Sequence, residues 1–215
     1  MNKYESKFKI LNRSMSNIFI ISAPSGAGKS SLIDGLIANY DSIKKSVSVT
    51  TRKPRDGEKN GEQYIFTDEA DFKKRLDKKE FLEHAHVHGN WYGTSKLLVE
   101  SELNKNHDLI LEIDFQGAQV VRTHYPNSIS IFILPPSMAV LRARLEKRNT
   151  DSASVIEQRL GAATSEIGHV SEYQYVIINE VYEDALSDLG AIIRSADLRN
   201  STSKSKEIVK NHTKG

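Results

Sequence analysis

One stretch of eight residues constrains the fold more than any other part of the 215-residue chain. Ala23-Pro24-Ser25-Gly26-Ala27-Gly28-Lys29-Ser30 follows directly on an apolar run, Ile18 to Ser22, and leads into helical periodicity over Lys29 to Asn39. Strand, glycine turn and helix in that order form the Walker A arrangement, with Ala23 at the position of its first Gly. Gly26 and Gly28 let successive backbone N–H groups point inward, and the helix dipole adds to them, so the turn is a nest for an anion. Lys29 is placed to reach β- and γ-phosphates, and the Ser30 hydroxyl to ligate Mg²⁺. An incidental Gly/Ser turn has no need of Gly-Lys-Ser at this spacing behind a buried strand.

Further β-rich runs occur near Val47 to Val49 and at Leu109 to Ile113, Ile129 to Leu134 and Tyr175 to Ile178. They alternate with helical patterns at Gln116 to Thr123, Ser137 to Lys147 and Glu183 to Arg199. Such alternation predicts a three-layer α/β fold, a central parallel sheet between helices, with near-continuous apolarity suited to strands covered on both faces. Two more polar segments interrupt it and read as insertions. One, about 46–98, holds a charged loop, strand-like pieces Tyr64 to Phe66 and Phe81 to Val87, and a helix near 68–79. The other, about 138–169, is helical and rich in arginine. The chain length suits one domain, expected over 17–199. Basic ends, 1–16 and 200–215, are expected to be solvated rather than to bind nucleic acid. Met15 is a second candidate start. No apolar run is long enough for a membrane span, and zero cysteines fit a reducing cytoplasm.

A phosphate loop does not by itself separate GTPases, ATPases and kinases, and the Asn-Lys-x-Asp guanine box of GTPases is absent, Asn104-Lys105-Asn106-His107 lacking its carboxylate. His84, His86 and His88 alternate as on one strand face, but no acidic or cysteine partner follows at metal-ligand spacing. The acceptor must therefore be sought in the insertions. Thr50-Thr51-Arg52-Lys53-Pro54-Arg55-Asp56-Gly57-Glu58, running on to Gly61-Glu62-Gln63-Tyr64-Ile65-Phe66, resembles the guanylate kinase signature. Phe81-Leu82-Glu83-His84-Ala85, Gly89-Asn90-Trp91-Tyr92-Gly93-Thr94 and Ile113-Asp114-Phe115-Gln116-Gly117-Ala118 continue the resemblance in order, over about residues 17–199.

The resemblance implies Mg²⁺-dependent transfer of the γ-phosphoryl group of ATP to GMP, and to dGMP as well, with these nucleotides as partners. Arg52 and Arg55 would present planar forks to the monophosphate. Tyr64 and Tyr92 would add phenolic donors, and Glu58 would orient an arginine. Glu83 would read guanine by accepting from N1–H and the exocyclic amine, which adenine cannot satisfy, while Ser48, Thr94 and Asp114 complete the base site. On the donor side the resemblance points to residues 23–30, Ser31 and Asn179, with Arg144, Arg148 and Arg159 as lid cations. Asn149 stands where the family has Gly after the arginine. Ser30, Glu112 and Asp114 are the metal candidates, Glu112 standing where many relatives carry Asp. Taken singly, the arginines also read as a solvated loop, the tyrosines as half-buried packing residues and Glu83 as an edge charge. Two other functions fit a related fold: a non-catalytic interaction module, against which Gly28-Lys29-Ser30 argues, and a kinase for AMP, UMP or a small metabolite, which would have no use for Glu83 and the arginine pair.

Overall fold

The apolar runs become strands wherever neighbours cover them, and the polar excursions build a second, smaller sheet. The structure, a computed structural model, describes residues 16–87, 89–147, 152–198 and 209–212. In chain order come β1 (Ile18–Ser22), α1 (Lys29–Asn39), β2 (Ile43–Lys45), β3 (Ser48–Thr50), β4 (Tyr64–Phe66), α2 (Glu69–Asp77), β5 (Phe81–Val87) and β6 (Asn90–Ser95). There follow α3 (Lys96–Asn104), β7 (Asp108–Glu112), α4 (Phe115–His124), β8 (Ile129–Leu134), α5 (Met138–Lys147), α6 (Ala153–Ile167), β9 (Tyr175–Ile178) and α7 (Tyr182–Asp197).

The main sheet is parallel, in the order β2-β7-β1-β8-β9. Its central strands are buried on both faces. Phe19, Ile21, Ile131 and Ile133 pack with Leu32, Ile33 and Leu36 of α1 and Leu189 and Ile193 of α7. Ile18, Ile20, Leu109, Leu111 and Phe132 pack on the other side with Val99 of α3 and Ala118 and Val121 of α4. Each fully buried aliphatic side chain contributes about 1.5–3 kcal/mol. β9 departs from the two-faced expectation. It is an edge strand, and Tyr175, Val176 and Ile178 are exposed while Ile177 alone turns inward.

The smaller sheet, β4-β3-β6-β5, is mixed, with β3 and β4 parallel and the other pairs antiparallel. Its core is the ring stack of Phe72 with Phe81 (centroids 4.5 Å apart) and Trp91, with Val49 beside them. The run near Val47 to Val49, expected in the main sheet, therefore belongs here as β3. The fifth main strand is β2, Ile43–Lys45. Helices α5 and α6 form an apolar knot of their own, Leu141, Leu145, Ile156, Leu160 and Ala163. Leu141 and Leu145 press on the phosphate loop, where a Cβ on Gly26 would lie 3.0 Å from each. Among the described residues no helix is long and apolar enough to cross a membrane.

Candidate active site

A cleft of about 350 Å³ lies at the carboxyl ends of β1 and β7, the end of an open α/β sheet at which ligands bind. Four structures meet in it: the loop after β1, the inner face of the smaller sheet, the end of β7, and α6.

The loop turns through its two glycines. Gly26 (φ +97°) and Gly28 (φ +93°) take the left-handed conformation that favours glycine, while Ala23 does not. Gly28 precedes α1 without any side-chain cap on the first-turn N–H groups. Ala23, Pro24, Ser25, Gly26, Gly28, Lys29, Ser30 and Ser31 line it. Ala27 does not. Its methyl is fully buried, and its carbonyl instead accepts from the Asn179 amide (2.7 Å) and from Arg144 (3.4 Å). Asn179 and Arg144 thus sit behind the loop, in a separate hollow shared with Gly26, Gly28 and Ser31. Arg144 also donates to the Asn179 carbonyl (2.9 Å).

Glu112 ends β7 opposite Ile21 of β1, so the register sets it beside Lys29 and Ser30. Its Oε1 accepts from the Ser30 hydroxyl at 2.8 Å and lies 3.7 Å from the Lys29 ammonium, and its Oε2 pairs with Lys45. Burial alone would raise this carboxyl, but Lys29, Lys45 and the Ser30 hydroxyl outweigh it and hold Glu112 down at about 2. Lys45 was not anticipated. Nothing in Ile43-Lys44-Lys45 says strand, and only the register against β7 reveals the contact. Asp114 lines the cleft and also caps α4, accepting from the Gly117 N–H at 2.8 Å.

Across the cleft, the Arg52 fork donates to Glu58 Oε1 at 2.8 Å, and Glu58 Oε2 accepts the Arg55 backbone N–H at 2.7 Å. One carboxylate thus fixes both arginines' stretch of loop from behind, outside the cleft. Arg52 also lies over the Tyr64 ring, 5.2 Å from its centroid. Tyr64 and Tyr92 meet edge to face at 6.0 Å, and both line the cleft with Arg52 and Arg55. Burial, reinforced by the nearby Glu112 charge, pushes the Tyr64 phenol up to about 12, so it stays a donor.

Glu83 on β5 and Ser48 on β3 also face the cleft. Glu83 is 5% exposed, and its carboxylate accepts from the Thr94 hydroxyl on the paired strand β6. Thr94 itself is buried, and its hydroxyl donates to Glu83. Burial, with the Asp114 charge adding, pushes Glu83 up to about 7 against the opposing Thr94 bond. Gly117 makes room for it: a Cβ there would stand 2.6 Å from Glu83 Oε2.

From α6, Arg159 lines the cleft and reaches the Ser25 hydroxyl at 3.4 Å. Two turns on, Glu166 lines it as well, its carboxyl pushed up to about 7 by burial and Asp114 against the pull of Lys29. Sequence reasoning missed Glu166; its signal was the seven-residue spacing from Arg159, which repeats one helix face. Arg148 and Asn149 lie outside the described residues, as does His88. His84 and His86 are exposed against Trp91, and among the described residues no group of three or more His, Cys, Asp or Glu could hold a metal ion.

The sequence model of guanylate kinases matches residues 15–196. The guanylate kinase of Methylobacillus flagellatus is 57% identical over 85% of this chain and 91% of its own length. That of Paraburkholderia xenovorans is 50% identical over 85% and 81%. The crystal structure of guanylate kinase from Anaplasma phagocytophilum superposes with a TM-score of 0.75 at 34% identity, covering 93% of this chain and 96% of that one. With a glycine loop, a buried carboxylate and an arginine loop opening on one cleft, the chain belongs to the guanylate kinase family, phosphotransferases that phosphorylate GMP to GDP at the expense of ATP.

Proposed function

We propose that Glu83 reads the guanine of GMP, that Arg52, Arg55, Tyr64 and Tyr92 hold its phosphate, and that the loop with Lys29 holds the triphosphate of ATP opposite. The observation that carries this reading is that Glu83, Arg52 and Lys29 line the same cleft. Ser48 and Asp114 complete the base site, with Thr94 orienting Glu83 and Glu58 orienting Arg52. Since base and phosphate carry the recognition, dGMP serves as an acceptor too, losing only what the 2′-hydroxyl contributes.

Little proton transfer is required, because a phosphate monoester with a second pKa near 6 already offers an ionised oxygen at neutral pH. The protein's work is positioning and charge neutralisation. The arginines and tyrosines aim the acceptor oxygen, while Lys29 and Arg159 stabilise charge on the group in flight and Arg144 and Arg148 serve from the donor side. The unit at work is 17–199, with 46–98 as acceptor arm and 138–169 as a lid that excludes water.

The Ser30 hydroxyl and the Glu112 carboxylate, 2.8 Å apart beside Lys29, are oxygen donors of the kind Mg²⁺ takes one or two at a time along with phosphates and water. Ser30, Glu112 and Asp114 are the residues to hold it, and the ion would supply neutralising charge on the β- and γ-phosphates. A reaction on ATP and GMP in a chain with no cysteine is assigned to the cytoplasm.

Steady-state ADP formation with GMP, dGMP, AMP and UMP as acceptors tests the reading. GMP and dGMP are expected to be used and AMP and UMP rejected. Glu83→Gln should cost about 10⁴-fold in kcat/KM for GMP while ATP affinity holds, as for other sites built to hydrogen-bond one partner. Equal loss of ATP affinity would refute the assignment.

A further inference from the structure

The site described so far leaves one cation unused. Lys45 ends β2, where it is paired with Ile110 of β7. Side chains alternate along a strand, so Ile110 and Glu112 share a face, and Lys45 stands diagonal to Glu112 across the two strands. Its ammonium closes on Glu112 Oε2, while the Ser30 hydroxyl and the Lys29 ammonium share Oε1. Both side chains of the pair are largely shielded, 23% exposed for Lys45 and 11% for Glu112. Lys45 does not line the cleft.

We propose that Lys45 is a positioning residue for ATP: by occupying one oxygen of Glu112 it limits that carboxylate's pull on Lys29, leaving the Lys29 ammonium available to the phosphates. Geometry supplies the reason. At 3.7 Å, Lys29 is loosely held, beyond ordinary hydrogen-bond length, while Lys45 pairs with the other oxygen. Without Lys45, a buried carboxylate would have Lys29 as its one ammonium partner and would draw it in, away from the nest. The pair also fixes the rotamer in which Glu112 receives the Ser30 hydroxyl. This inference rests on the donor-site reading above.

Calorimetric binding of ATP in EDTA, without acceptor or turnover, tests it. Lys45→Met is expected to weaken ATP about tenfold, the scale of one charge-assisted hydrogen bond. Lys45→Arg should restore the affinity, and GMP affinity should fall by less than ATP affinity, since Lys45 does not line the cleft. In the Glu112→Gln background the same Lys45→Met change should cost nothing further, because there is no carboxylate to restrain. Unchanged ATP affinity in Lys45→Met overturns the proposal, as does a full additional loss in the double variant, which would mean that Lys45 meets the phosphates itself. If Met at 45 prevents folding, Lys45→Gln carries the same comparison, with GMP binding reporting an intact acceptor half. Failure of the unaltered protein to bind ATP would defeat the donor-site reading instead, so the two failures are distinguishable.

Discussion

Glu83→Gln should make the free protein more stable at pH 8 while destroying its use of GMP. Burial raises the Glu83 carboxyl from its ordinary 4.5 to about 7. That difference corresponds to about 3 kcal/mol of folding free energy lost in keeping the group ionised. The folded protein holds this proton more tightly than the unfolded chain does, so the cost is absent below about pH 4.5, grows as pH rises, and is complete above about pH 7. Glutamine keeps the shape and the acceptor for Thr94 but carries no charge to desolvate. Relative to the unaltered protein, the variant should gain up to about 3 kcal/mol at pH 8, or roughly 6–12 °C in Tm for a chain of this size. Near pH 5 most of that gain should vanish. Thermal unfolding without nucleotide at the two pH values measures it. The same difference at both, or a smaller gain at pH 8 than at pH 5, would refute the argument that burial of a charge is what Glu83 endures. Guanosine, whose lack of phosphate removes the ligand's own ionisation, should bind about tenfold more weakly for each pH unit below about 7.

Gly117→Ala, which sets a methyl 2.6 Å from Glu83 Oε2, should raise KM for GMP about tenfold and leave KM for ATP unchanged, as read from initial rates. Gly28→Ala meets both a left-handed backbone and the Asn179 amide at 2.3 Å, so ATP binding measured by titration should be lost while GMP still binds. Glu58→Gln takes the charge from the partner of both Arg52 and the Arg55 backbone. GMP affinity measured by calorimetry should fall about tenfold, with the greater part of the loss in dissociation rate.

The elements around the glycine loop were legible in the sequence because their pattern is local. Gly26, Gly28, Lys29 and Ser30 lie within five residues, and the strand and helix around them carry their own periodicity, so β1 and α1 fall where the pattern sets them. β2 was not legible, because in Ile43-Lys44-Lys45 only Ile43 faces the core and an edge strand this short has no alternation to show. β6 hid for a different reason: Asn90 and Gly93 interrupt the strand-favouring Trp91, Tyr92 and Thr94, and pairing with β5 and β3 completes the strand. α3 has a single fully buried residue, Val99, beside an exposed Leu97, which leaves no apolar stripe to read. The small sheet captured β3 because Ser48-Val49-Thr50 finds partners in β4 and β6, a choice that three residues cannot announce. Thr94 shows the same limit at the site. Its residue type fitted a base contact, but only the cross-strand register with Glu83 reveals that its hydroxyl is already committed.

The cleft carboxylates divide by surroundings rather than by residue type. Glu112 and Glu83 are both glutamates in a buried cleft, yet one is held at about 2 and the other pushed to about 7. Burial acts upward on both. What separates them is that Glu112 has two lysines within reach, whereas Glu83 has a neutral hydroxyl and the like charge of Asp114. A permanently ionised Glu112 suits a group whose task is to orient cations and a hydroxyl under a triphosphate. A carboxylate left without a cation suits a group whose missing hydrogen-bond donors arrive with the base, because GMP then relieves a cost already present in the free protein. On the proposed reading of Glu83, guanine recognition and the instability of the empty site are therefore one feature seen from two sides, and a substitution that cures the second must forfeit the first.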